Sequence, residues 1–197
     1  MNNTEKRKAG EYEILNSLYI GDKEIVLGEN LLASKDQKYL CAYCERHDVI
    51  ALYDNCLVSD DYSEIVKLFG ERIAQQAEKT LMEIKLESQG IDNTPLNEND
   101  CIPIKHTDNI NNKIILINKD CLRREYQVAT HQIKLCVGGF GASPNSRGSA
   151  CFCVDLYSGQ HSRFERRDVL GILKKEQLPG WAKTGLEKYS RKKEMQR

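Results

Sequence analysis

His131, His161, Glu165 and Arg147 are the residues of this sequence whose types best suit a reaction. Histidine, carboxylate and arginine can cleave RNA without a metal: a base for the ribose hydroxyl, an acid for the leaving oxygen, a cation for the developing charge. Arginine and glutamate alternating along HSRFERR are equally the residues of an ordinary solvated strand. Only the fold decides whether the four meet.

Between two of these candidates the chain reads GGFGASPNSRG, from Gly138 to Gly148. Gly138, Gly139 and Gly141 permit backbone conformations closed to other residues, and such a loop can aim several N–H groups at one anion. Ser143, Asn145, Ser146 and Arg147 add donors. The loop lacks the lysine–serine/threonine ending and following helix of a P-loop, which argues against nucleotide hydrolysis. Contact with phosphate or nucleic acid, contact with a protein, and a plain hairpin connection all stay open. Lys134, Arg163, Arg166 and Arg167 join the candidate RNA- or partner-binding set, because arginine forks grip phosphates and carboxylates. Phe140, flanked by glycines that cannot cover it, suits base stacking or an interface anchor.

Cys41, Cys44 and His47 have C-x2-C-x2-H spacing, with Cys56 downstream, a pattern that can bind zinc. A structural finger would need a second close pair, and Cys41 and Cys44 would face opposite sides of a strand. The preferred reading is buried free thiols with no cofactor, zinc being the alternative. Cys151 and Cys153 share one strand face and can meet Cys136 from a neighbouring strand.

The elements that must position these residues follow from periodicity. The segment 1–10 is polar and is expected to be disordered. Gly21-Asp22 is a turn signal between Tyr19-Ile20 and Glu24–Leu27, and Lys38–Arg46 and Val49–Tyr53 are further strand candidates. Asp61–Ser88 is the clearest helix, with Glu64 three residues after the Asp61 cap and a stripe of Tyr62, Ile65, Val66, Phe69, Ile73, Ala77, Leu81 and Ile84. Residues 91–112, rich in Asn, Asp and Pro, read as a linker. Beyond it, KIILIN is a short strand. Then His131–Val137, Ala150–Tyr157 and His161–Arg167 alternate as a three-stranded meander, with Ile133, Leu135, Val137, Ala150, Phe152, Val154 and Leu156 facing inward. Lys134, Asp155, Arg163, Glu165 and Arg167 share its polar face. A last helix covers Trp181–Tyr189, and 191–197 is a basic tail. The expected fold class is α+β in two small modules: residues 11–90, an antiparallel sheet with one long packed helix, and 113–190, an antiparallel β-meander with a glycine-rich loop and a C-terminal helix.

The net charge of zero hides a split. Residues 1–120 carry 14 Lys and Arg against 22 Asp and Glu, and residues 121–197 carry 15 against 7. Such a chain can show a basic face to phosphates and an acidic face to another partner, or neutralise itself across an internal contact. The N-terminus has no apolar h-region and no apolar run is long enough for a bilayer, so the expected location is the cytosol, with no membrane partner.

YIGDKEIVLG, YLCAYC and YSEIVKLFGERI together resemble a small module of accessory proteins from conjugative transposons and plasmids of Gram-positive bacteria. The stretch YQVATHQIKLCVGGFGASPNSRGSACFCVDLYSGQHSRFERRDVLGIL, followed by LPGWAKTGLEK, resembles a second module of the same proteins, carried by GGFG-x-S-P-x-x-RG and F-E-R-x-D-V-x-G. The resemblance implies a mobile-element protein of the anti-CRISPR kind, with a type II Cas9 effector and its guide RNA as partners. Two alternatives accompany that expectation: a nucleic-acid-binding accessory protein of conjugation, and a plain protein-interaction module.

Overall fold

The computed structural model describes residues 7–33, 37–46 and 50–195. The chain is α+β and divides into two compact units, 1–89 and 90–197. Among the described residues no helix is long and apolar enough to cross a membrane.

Unit 1 is a curled antiparallel sheet of five strands in sequence order: β1 (Lys8–Ala9), β2 (Tyr12–Ile20), β3 (Lys23–Glu29), β4 (Tyr39–Arg46) and β5 (Ala51–Ser59). The β2–β3 hairpin turns at Gly21-Asp22, where Gly21 has φ +60°. Central strand β3 is buried on both faces. Ile25 and Leu27 pack with Cys41 and Ile65 on one side, and Val26 packs with Ala9, Leu40, Ala42 and Cys44 on the other.

Helix α1 (Tyr62–Glu87) lies over the Ile25–Leu27 face. Asp61 caps it, accepting from the N–H groups of Ser63 and Glu64 at 2.7 and 3.2 Å. The Glu64 carboxylate turns to the Ser59 hydroxyl at 2.6 Å. The buried face differs from the expected stripe. Ile65, Phe69 and Ile73 do pack inward, but the line continues through Arg72, Gln76 and Thr80, while Tyr62, Val66 and Leu81 are exposed. The reason is what lies beneath. A bulge between β4 and β5, with Asn55 at φ 49°, presents backbone carbonyls to the helix. Arg72 donates to Cys41 O at 3.0 Å and Asn55 O at 2.7 Å, with its guanidinium over the Tyr43 ring. Gln76 donates to Ile20 O and to Asp22 at the hairpin tip.

The expected disorder of residues 1–10 fails from Arg7 onward. β1 pairs with β2, and Arg7 grips Glu24 through two bonds of 2.6 and 2.9 Å. Burial opposes the Glu24 charge, but the bonds from Arg7 and Ser17 and the charges of Arg7 and Arg46 together outweigh it and hold the carboxyl below its ordinary value.

Unit 2 is built on β6 (Ile102–Pro103), β7 (Ile114–Ile117), a single helical turn α2 (Ala129–Gln132), β8 (Ile133–Gly138), β9 (Ala150–Asp155), β10 (His161–Glu165), β11 (Val169–Ile172) and helix α3 (Gly180–Met195). Its antiparallel sheet runs β10-β9-β8-β7-β11-β6. The segment expected as a linker, 91–112, belongs to this unit. β6 pairs with β11, Ile110 is fully buried, and the Gln132 side chain holds both backbone groups of Leu96. Its Asn and Asp residues serve as turn caps, such as Asn97. The expected tail is also shorter, since α3 continues to Met195.

The meander is sandwiched rather than one-sided. Ile133, Leu135, Leu156 and Ile114 form one apolar cluster with Ala182 of α3. Cys136, Cys151, Cys153, Ile115 and Ile117 form a second on the opposite face, closed by Ile110, Ala142 and Leu122 of the connecting segments. The expected polar face is therefore a second core. α3 sits hard against the sheet because Gly185 has no side chain: a Cβ there would lie 1.8 Å from Leu156 O.

Candidate nucleic-acid interface

Strand pairing decides which candidates meet. Lys134 stands opposite Asp155, while Arg163 stands opposite Phe152 and His161 opposite Val154. Phe152 and Asp155 are three apart on one strand, so these pairs lie on opposite faces. Lys134, expected on an RNA-binding surface, is 4% exposed and ion-paired to Asp155, itself 5% exposed. Asp155 also accepts from the N–H groups of Tyr157 and Ser158, both at 2.8 Å. The pair is internal architecture and leaves the candidate set.

The proposed catalytic four are not assembled. His131, in α2, stacks on Tyr126 with ring centroids 4.5 Å apart. His161 and Glu165 open and close the five-residue β10, about 13 Å apart at roughly 3.3 Å per residue. Glu165 is engaged locally by the Ser149 hydroxyl and by Arg163 at 2.7 Å. Arg147 is exposed in the loop that enters β9 at the Glu165 end.

Four N–H groups of the glycine loop are committed within the unit. Ala142 N–H donates to Gly139 O, Ser143 N–H to Phe140 O, Asn145 N–H to His106 O, and Gly148 N–H to the Ser146 hydroxyl. The glycines serve close packing. A Cβ on Gly139, where φ is +97°, would meet Ala150 O at 2.2 Å, and one on Gly141 would meet Ser149 O at 2.0 Å. Arg166 fastens the same loop, donating to the carbonyls of Gly141, Lys105 and Asp108 at 2.5, 2.8 and 2.8 Å. It too is committed to structure.

What remains is a solvent-facing strip. Phe140 is 77% exposed and Phe152 50% exposed. Arg163 is exposed directly across from Phe152, with His161 two residues along the same face. Gly138, opposite Phe152 on β8, puts no side chain in front of the ring. Ser143, Asn145, Arg147 and Arg167 are also exposed, and Ser146 is half-buried. Phe152 was expected inward. Its phase is right, shared with Val154 and Leu156, but α3 does not cover the sheet that far.

Cys41 and Cys44 belong to separate apolar clusters on the two faces of β4. Cys56 is exposed on β5 and His47 lies outside the described residues. Among the described residues no group of three or more His, Cys, Asp and Glu side chains is placed to hold a metal ion. In unit 2 the three buried thiols interact. The Cys151 and Cys153 thiols donate to the carbonyls of Ser149 and Cys151, and the mutual interaction of the three groups, with burial, pushes Cys151 and Cys153 up while Cys136 is pulled down.

No family model, curated protein or solved structure matches the chain.

Proposed function

We propose that the protein binds single-stranded RNA through the β8–β10 face of unit 2 and, by that contact, inhibits a Cas9 effector loaded with guide RNA. The observation that carries the RNA reading is the exposed cross-strand pair of Phe152 and Arg163, with Phe140 in the adjoining loop. Unstacked bases bind aromatic faces and arginine planes in a sequence-tolerant way, each stacked base contributing about 1–3 kcal/mol. Charge supports it: unit 2 carries 18 Lys and Arg against 12 Asp and Glu, and unit 1 carries 11 against 17. The Cas9 setting rests on the sequence resemblance to mobile-element accessory proteins. Unit 1, acidic and with Leu52, Leu57 and Val58 exposed on edge strand β5, is the half proposed to face the effector protein. The action is binding rather than cleavage, because the four candidate catalytic side chains do not converge.

The test follows DNA cleavage by guide-loaded Cas9 together with guide length and with binding to free single-stranded RNA. The expected result is intact DNA, a full-length guide, and RNA binding that weakens steeply with salt. Phe152→Ala and Arg163→Glu each weaken RNA binding by about tenfold or more. Unaffected cleavage across several Cas9 orthologues removes the inhibitor reading. RNA binding that persists in its absence would leave the conjugation accessory protein. A shortened guide would restore the nuclease.

A further inference from the structure

On the face that carries Arg163 and His161, a groove of about 570 Å³ opens between α3 and the Tyr157 end of β9. Trp181 and Tyr157 form one wall, meeting edge to face with ring centroids 5.7 Å apart and planes at 79°. Lys188, Lys192, Lys193 and His161 supply its cationic groups. Trp181, Gly185, Lys188 and Lys192 recur every three to four residues, so one stripe of α3 presents them together. Among the described residues the one carboxylate in the lining is Asp155, whose two oxygens are already taken by Lys134 and by the Tyr157 and Ser158 N–H groups. The groove therefore offers uncompensated positive charge beside aromatic rings. The hollow on the opposite flank of α3, about 620 Å³, is lined by Lys113, Lys174, Lys175 and Lys193 with Glu176 and Glu194, and lacks the tryptophan wall.

We infer that the groove takes one nucleotide of the bound strand, its base against Trp181 and Tyr157 and its phosphate at Lys188 and Lys192. The volume suits a small ligand of that size. Lysine ammoniums are point charges suited to phosphate, whereas planar carboxylate recognition favours the arginine fork, and among the described residues no arginine lines the groove. The inference deepens the RNA reading and rests on it for the strand that supplies the nucleotide. It converts an open stacking strip, tolerant of any base, into a path with one enclosed position.

Trp181 is the only tryptophan of the chain, so its emission reports on the groove alone. The full-length protein is titrated with a nucleoside 5′-monophosphate, the matching nucleoside, inorganic phosphate, and a short single-stranded oligonucleotide. The monophosphate and the oligonucleotide are expected to change Trp181 emission saturably, with nucleoside and phosphate each at least tenfold weaker. Lys188→Glu with Lys192→Glu is expected to raise both dissociation constants at least tenfold at an unchanged melting temperature. Phe152→Ala is expected to weaken the oligonucleotide alone. An oligonucleotide that binds without altering Trp181 emission, and without sensitivity to the two lysines, overturns the groove and leaves the RNA surface standing. A monophosphate that binds while the oligonucleotide does not overturns the RNA surface and leaves a nucleotide groove. Inorganic phosphate acting as well as the monophosphate removes the base from the assignment.

Discussion

The two units each lay a helix on an antiparallel sheet and hold it there by different means. In unit 1, α1 is pinned by directional bonds, Arg72 to two sheet carbonyls and Gln76 to the hairpin tip. In unit 2, α3 is held by apolar packing and one point of very close approach at Gly185. Polar anchoring sets the position of a helix along its axis, because donor and acceptor must meet within a few tenths of an ångström. Apolar packing is less exacting about position, and it leaves the flanks of α3 open as grooves. The proposed function accordingly sits on unit 2, where the sheet outruns its cover.

That contrast can be broken in four ways. The largest effect is expected from Lys134→Met, which strands the Asp155 carboxylate inside unit 2 and should cost about 3–5 kcal/mol. Urea unfolding of the full chain, with hydrogen exchange to assign the loss to residues 90–197, measures it; a cost under 1 kcal/mol would mean the pair is solvated. Next, Arg72→Ala leaves the carbonyls of Cys41 and Asn55 without their donor and should remove about 2–3 kcal/mol from unit 1 alone. A smaller loss, about 1 kcal/mol, is expected for Asp61→Ala, which removes the α1 cap, seen as faster amide exchange in the first turn.

The smallest effect at neutral pH separates the charge pairs by their response to acid. Glu24 is depressed below its ordinary 4.5 despite burial, through Arg7 with help from Ser17 and Arg46. The stability it contributes is present above that ordinary value and is lost as pH falls through the depressed one. Arg7→Ala should move the acid transition of unit 1 to higher pH. An unchanged acid midpoint would show that Arg7 does not set the Glu24 charge.

Much of this was legible beforehand. The β2–β3 hairpin and the α1 cap are local, and local signals such as Gly21-Asp22 and Asp61 need only their neighbours to act. The alternation within β8 and β9 gave the right faces, but Arg163 and Glu165, expected beside Lys134 and Asp155, lie on the other side because β10 pairs them with Phe152 and Ala150. Period two also says which residues share a side and not whether that side is wet. Cys136, Cys151 and Cys153 read as a polar-side set because the cover over them, Ile110 and Leu122, comes from stretches with no periodicity of their own. The polar line of α1 was invisible for the same reason: Arg72 is inward only because a bulge in β5 exposes carbonyls to it. At the candidate site, Arg163 and Phe140 were found from type and setting. Phe152 was missed because α3 stops short of it, and Lys188 and Lys192 because a basic helix reads as solvent-facing until the sheet beneath it is known.

Gly185 carries a consequence of its own. Beside the apolar contacts of Ala182 and Leu186, α3 comes closest to the sheet at one bare backbone point, and that point fixes how near the helix can lie. Any side chain at residue 185, which lines the Trp181 groove, would meet the Leu156 carbonyl and shift α3, and with it the walls that α3 gives to both hollows. The depth of the nucleotide groove is thus tuned at a position that brings no side chain of its own, and an engineer wanting a larger occupant would start there rather than at the lysines.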